Sequence, residues 1–284
     1  MALPLEKAPR PEQRAETLED LEIRLLLEGV HEHWGFDFRD YAPASLRRRL
    51  RHFMADEDVR TVSQLQDRVL HDRAARDRLV MALTVSVTSM FRDPELYRVF
   101  RQRAVPLLRT YPLVRLWHAA CATGEEVYSL AILLEEEGLY ERCRIYATDI
   151  NHEALRRASL GDVPLSAMRE NTANYLRAGG RRTFADYYSA GTERARLDPA
   201  LRRNVVFAEH NLVTDGSFNE FNVIFCRNVL IYFQKTLQER VHALLHHSLV
   251  RFGFLALGAR ETVEFTAFQD RYQELGQRLY RKVA

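Results

Sequence analysis

Cysteine is scarce in this 284-residue chain: Cys121, Cys143 and Cys226 are the only three, far apart and each inside an apolar run. That excludes a disulfide framework and offers no zinc-ligand spacing, so the thiols read as buried groups of a reducing compartment. Long hydrophobic runs are missing too. None approaches the ~20 residues of a membrane span. The first twenty residues, MALPLEKAPRPEQRAETLED, hold no apolar core of the signal-peptide kind. A cytoplasmic protein without membrane insertion is expected. Nor does charge of one sign dominate: 41 basic and 39 acidic residues leave a net charge of +2, so no global field recommends nucleic acid as a partner.

What is present is an ordinary apolar fraction of 46%, enough for a sizeable core. Residues 1–15, rich in proline and charge, are expected to be disordered. From 16 to 83 apolar residues recur at spacings of three and four, as at Leu18, Leu21, Leu25 and at Leu46, Leu50, Phe53, which predicts a small all-helical N-terminal domain. Beyond it lie short runs rich in Val, Ile, Phe and Leu: VRLWHAAC, CRIYATDI, NVVFAEHN, NVIFCRN and GFLALGA. Helical patterns separate several of them, including GEEVYSLAILLEEEG, NHEALRRASLG and KTLQERVHALLHHSLV. Strands apolar on both faces that alternate with helices predict a largely parallel, doubly wound α/β domain. Its expected bounds are 98–284, with 84–97 as a linker contributing site residues and 161–203 as an inserted subdomain.

Glycine is sparse where a nucleotide-binding turn would use it most. HAACATGEEVYSLA, residues 118–131, has one glycine, Gly124, followed by Glu125 and Glu126. A pyrophosphate at a helix N-terminus wants bare backbone, and two carboxylates would repel it. A ligand with a ribose, no phosphate and a positive charge fits better, which points to S-adenosylmethionine. One of the two acids can be an ordinary first-turn residue favouring the helix dipole. In open α/β sheets ligands lie beyond the carboxyl ends of the strands. The polar groups there are Ala122–Glu126, Asp149, Asn211 with Leu212, and Arg227 with Asn228. Asp149 suits the two hydroxyls of a ribose, or else simply caps the helix after it.

TSMFRDPELY (88–97), WHAACATGEEVYSLA (117–131), ATDIN (147–151), HNL (210–212) and IFCRNVLIYF (224–233) resemble, in order, the signatures of CheR-type chemotaxis protein-glutamate O-methyltransferases. The resemblance covers about residue 20 to the C-terminus. It implies a Rossmann-like methyltransferase domain with a small inserted subdomain, preceded by the helical domain. The activity it implies is transfer of a methyl group from S-adenosyl-L-methionine to glutamate carboxylates, leaving S-adenosyl-L-homocysteine. Cofactor contacts would come from Ser86, Thr88 and Arg92 ahead of the main domain. Ala120 and Glu126 would follow the first strand, with Glu126 facing the methionine end. Asp149 would hold the ribose, Asn211 and Leu212 would border the adenine, and Arg227 and Asn228 would close the pocket. Arg92 and Tyr232 would lie near the transferred methyl as catalytic residues. Arg47, Arg48, Arg49 and Arg51 would either dock an acidic substrate or form the solvated face of an amphipathic helix. The implied partner is a chemoreceptor methylation helix or another acidic signalling protein. A monomer or weak dimer is expected, and no metal.

The chain departs from the family pattern at several places. Met90-Phe91 replaces a phenylalanine pair, Ala122 a serine, and Arg260-Glu261-Thr262 a Ser-Glu-Ser. His118 stands where the family seldom has histidine. The insertion carries Phe184, Tyr187 and Tyr188, either a partner surface or buried aromatics pinning a long loop. A non-catalytic cofactor-binding adaptor and a nucleic-acid methyltransferase are the competing classes. Retention of Arg92 and Tyr232 weighs against the first, and near-zero net charge against the second.

Overall fold

The computed structural model describes residues 17–84 and 88–283. Ser86 and the segment 1–15 lie outside the described residues. Thr17 starts the first helix with a capping box: its hydroxyl accepts from the Asp20 N–H at 3.2 Å, and Asp20 accepts from the Thr17 N–H in return. Helix α1 (Leu18–Trp34) ends at Gly35 in the left-handed region, and α2 (Pro43–Asp56) opens with proline in its first turn. Helices α3 (Val62–His71) and α4 (Arg73–Leu83) complete the bundle. Its own core includes Leu26, Val30, Leu46, Leu50, Leu65 and Leu79.

The second unit begins with α5 (Pro94–Arg103) and the short α6 (Val105–Leu108). Next come β1 (Val114–Ala119), α7 (Glu125–Glu136), β2 (Cys143–Asp149) and α8 (His152–Leu160). The inserted segment holds β3 (Asp162–Pro164), α9 (Met168–Arg177), β4 (Tyr188–Ala190) and β5 (Arg194–Leu197), with its strands in a separate three-stranded sheet. The chain then returns through β6 (Val205–Glu209), β7 (Phe221–Cys226), α10 (Lys235–Ser248) and β8 (Leu249–Leu257). It closes with β9 (Tyr272–Gly276) and β10 (Leu279–Lys282).

The main sheet runs in the order β6-β2-β1-β7-β8-β10-β9, and its first five strands are parallel neighbours. The fold is therefore the Rossmann-like class the alternation predicts. One face packs Leu116, Ile145 and Phe225 under α5 and α7; the other packs Trp117, Ile224 and Leu255 under α10. Successive side chains of a strand point to opposite faces, so strands covered on both sides must be apolar throughout. Two features were not read from the sequence. Strand β8 starts at Leu249 rather than 253, and the antiparallel β9–β10 hairpin follows it. The inserted aromatics Phe184 and Tyr187 are buried against Phe91 and Tyr175, while Tyr188 is half-buried.

The sheet order places the topological switch between β1 and β7, because the chain winds outward from β1 to β6 and then returns to β7. A crevice opens there at the carboxyl ends of the strands, as such sheets dictate.

Candidate active site

A cleft of about 940 Å³ occupies that crevice. Thr88, Arg92, Ala120, Glu126, Asp149, Asn211, Leu212, Arg227, Asn228 and Tyr232 all line it. Of the four arginines of α2 only Arg49 reaches it. Arg47 is paired with Asp20 and Arg51 with Glu19, at 2.9 Å for the latter, while Arg48 is exposed. The run thus divides into two ion pairs to α1, one solvent-facing residue and one residue in the cleft.

The loop after β1 is shaped without a glycine-rich sequence. Ala120 and Ala122 adopt φ of 57° and 50°, and Gly124 φ of 90°. Left-handed alanine is costly, of the order of 1 kcal/mol. Only at Gly124 is a side chain also sterically excluded, since a Cβ there would sit 2.8 Å from the Ala158 Cβ. Asp149 holds the loop: one carboxylate oxygen accepts from the Ala122 N–H at 2.9 Å and the other from the Asn151 N–H at 2.8 Å. The cap of α8 is Asn151, whose side chain accepts from the Ala154 N–H. Capping therefore does not account for Asp149. Burial raises its pKa, and the backbone N–H donors partly offset that.

The two acids that open α7 point different ways. Glu125 is buried, bonded to the Thr123 hydroxyl at 2.7 Å, and burial raises its pKa. Glu126 lines the cleft and pairs with Arg227, whose other terminal nitrogen reaches Asp93 at 2.5 Å. Tyr97 donates its hydroxyl to the same Glu126 oxygen at 3.3 Å. Both interactions engage Oε1 of Glu126. Asn211 forms a local turn, its side-chain oxygen accepting from the Val213 N–H at 2.9 Å, which sets Leu212 against the cleft.

Several contributors were not singled out by sequence. Glu261, 4% exposed, accepts from the N–H groups of Asn228, Leu230 and Gly258 at 2.9, 2.8 and 2.6 Å. It thereby fixes the loop that carries Arg227 and Asn228, and Asn228 itself has φ of 60°. Burial raises the Glu261 pKa, and the same N–H donors counter this. The available signal was that Glu261 keeps the glutamate of the Ser-Glu-Ser pattern while Arg260 and Thr262 replace the serines. From the helical domain, Arg49 sits 4.5 Å over the Tyr232 ring and donates to the Leu83 carbonyl. Tyr41 packs on Phe233 at 5.0 Å, and the Ala42 N–H donates to the Tyr232 carbonyl at 2.7 Å. Nothing in the sequence pattern linked residues 41–49 to residue 232. His118 is buried on β1, stacked 4.9 Å from Phe225, and burial lowers its pKa to about 4.

The donor set fits one kind of ligand. A buried acid at the end of β2 can take ribose hydroxyls, an acid at the start of α7 can face an ammonium, and the apolar Leu212 and Phe233 can hold a flat base. With the doubly wound sheet, this defines an S-adenosylmethionine-dependent methyltransferase. Family comparison specifies it further: residues 86–280 match the SAM-binding domain of CheR methyltransferase and residues 21–84 its all-alpha domain. The chain belongs to the CheR methyltransferase family. Cher3 of Pseudomonas putida, which is named as a methyltransferase without a chemotaxis qualifier, is 51% identical over 93% of this chain and 97% of its own length. Chemotaxis protein methyltransferase 1 of Pseudomonas aeruginosa is 31% identical over 79% of this chain and 83% of that one. The Vibrio cholerae protein of the same name is 30% identical over 90% and 94%. Among the described residues no helix is long and apolar enough to cross a membrane, and no three or more His, Cys, Asp or Glu side chains are grouped so as to hold a metal ion.

Proposed function

We propose that the protein methylates glutamate side chains of a signalling protein, a methyl-accepting chemotaxis receptor, giving glutamate methyl esters and S-adenosylhomocysteine. The observation that carries this reading is the convergence of Arg92 and Tyr232, from opposite ends of the chain's motif series, on the cleft that also holds Glu126 and Asp149. When bound, S-adenosylmethionine supplies a methyl group on a cationic sulfur. Held at Asp149 and Glu126, it would give that methyl to the acceptor carboxylate, a C–O bond forming as the C–S bond breaks and the electron pair staying on sulfur. A carboxylate of ordinary pKa, about 4.3, is already ionised at neutral pH, so the chain need not supply a general base.

What the chain's residues supply is alignment. Arg92 can hold the acceptor carboxylate by two bonds and Tyr232 by one. Asp149 and Glu126 orient the cofactor from its ribose and ammonium ends. Positioning of this kind can contribute up to roughly 7–11 kcal/mol to the barrier reduction. Arg48, the solvent-facing arginine of α2, can attract an acidic acceptor at low salt.

The test uses the purified cytoplasmic domain of a methyl-accepting receptor from the same genome and cofactor labelled in the methyl group. Label that is incorporated and released as methanol by base supports a carboxyl ester. Label stable to base, or none, refutes it.

A further inference from the structure

A second groove, about 1210 Å³, meets the cofactor cleft at Thr88 and Arg92, which line both. Its walls are α9, the start of α5 and the turn between β9 and β10. Each wall is fixed. The Asn171 side chain accepts from the Met90 N–H at 3.1 Å, and the Asn174 side chain donates to the Met90 carbonyl at 3.3 Å, so α9 is fastened to the segment that leads into Arg92. The hairpin turn runs through three consecutive left-handed residues: Gly276, Gln277 and Arg278 have φ of 106°, 54° and 60°. Its Arg278 carbonyl is anchored by the Leu257 N–H at 3.0 Å. Non-glycine residues held in that region mark places where the surroundings impose the backbone, and here they place Gln277 in the groove.

The charges along the groove are ordered. Asp93 is engaged by Arg227 and Glu95 by Arg98. Beside Arg92 at the junction with the cofactor cleft, α9 presents an acid in its first turn, Glu170, and an exposed cation in its last, Arg177. Seven residues of helix separate them by about 10 Å along the groove. Such a polar rail reads the direction of a chain laid beside it, because the reversed orientation would set like charges together.

Building on the methyl-transfer reading above, we infer that this groove seats the acceptor segment flanking the methylated carboxylate, with Arg177 and Glu170 as specificity-determining residues. The acceptor places an acidic residue over Arg177 and a basic one over Glu170, with the reacting carboxylate between them and Arg92. Neither residue touches the cofactor cleft.

The test measures KM and kcat of wild type, Arg177→Glu and Glu170→Arg on the same receptor domain, with S-adenosylhomocysteine affinity as a control. The expected result for each variant is a five- to tenfold rise in KM that shrinks at high salt, with kcat within about twofold and product affinity unchanged. Unchanged KM in both variants, while wild type still forms base-labile ester, overturns the groove assignment alone. A KM rise accompanied by an equal loss of product affinity also overturns it, since the effect would then be on the cofactor cleft. No ester with wild type overturns the parent reading, and the groove assignment with it.

Discussion

Arg227 and Glu126 form an ion pair across the floor of the cleft, joining the loop after β7 to the first turn of α7. The arginine side chain is 1% exposed and the glutamate side chain 15%. Their mutual charge holds the guanidinium pKa above its ordinary value despite burial. Removing the acid strands a buried cation with Asp93 as its remaining carboxylate partner. Glu126→Ala is expected to cost about 3 kcal/mol of stability in urea unfolding and to weaken cofactor binding. Glu126→Gln keeps an acceptor, so it should lose less stability while still binding the cofactor poorly. Calorimetric titration with S-adenosylhomocysteine separates the two effects.

Arg92→Ala should lower kcat by at least about a hundredfold, the usual order for loss of one preorganised donor. Its thermal midpoint should stay close to wild type, because the residue is half-buried at a cleft wall and not in a core cluster. Tyr232→Phe keeps the ring that Arg49 covers and loses only the hydroxyl, so a drop of about tenfold is expected. Single-turnover methyl transfer reads both.

Glu261→Ala tests whether a residue outside the cleft lining controls its shape. Four backbone donors, those of Asn228, Leu230, Ile231 and Gly258, would lose their acceptor, each costing about 1–3 kcal/mol when left buried. Stability and kcat should both fall. Glu261→Gln, which retains one acceptor oxygen, should recover part of each. An Ala variant with full activity would remove Glu261 from the account of the site.

Protonation of two buried histidines should oppose the fold between pH 6.5 and 4. Burial lowers the pKa of His118 and of His242 to about 4, so each contributes stability that is present above the unfolded value and lost as pH falls toward 4. The buried carboxyls of Asp149, Glu125 and Glu261 act oppositely, since their raised pKa values favour the fold at low pH. His118→Phe removes one titrating ring while keeping the stack on Phe225. The variant should show a flatter acid limb, by up to about 3 kcal/mol at pH 4. Urea midpoints across that pH range provide the measurement.

The parallel sheet was legible because its strands are buried on both faces and their apolar runs need no partner information to be recognised. The turns at their ends were legible for the same reason, as polar residues abruptly following such runs. The β9–β10 hairpin was not, since YQELG and LYRK alternate over too few residues to stand out from loop. Glu126 could be separated from Glu125 only in part by sequence. Helical geometry puts neighbouring residues about 100° apart, and the packing of α7 decides which one meets the cleft. Arg49 shows the other limit. Its run of four arginines reads as one feature, yet Asp20, Glu19 and the Leu83 carbonyl each claim a different member. Such pairings depend on how α1, α2 and α4 stack, which local pattern does not encode.

The backbone bond from Ala42 to Tyr232 has an implication for how such enzymes diversify. The two family matches meet at residues 84 and 86, as if the helical domain were an exchangeable part. The cleft does not respect that seam: Tyr41, Arg49, Leu83 and Thr84 belong to one side of it and line the same cavity as Asp149 and Tyr232. A helical domain grafted from a distant relative would therefore arrive with the wrong wall for this cavity, so the two parts are expected to be inherited together, and recombination between lineages to succeed only when both halves come from the same parent.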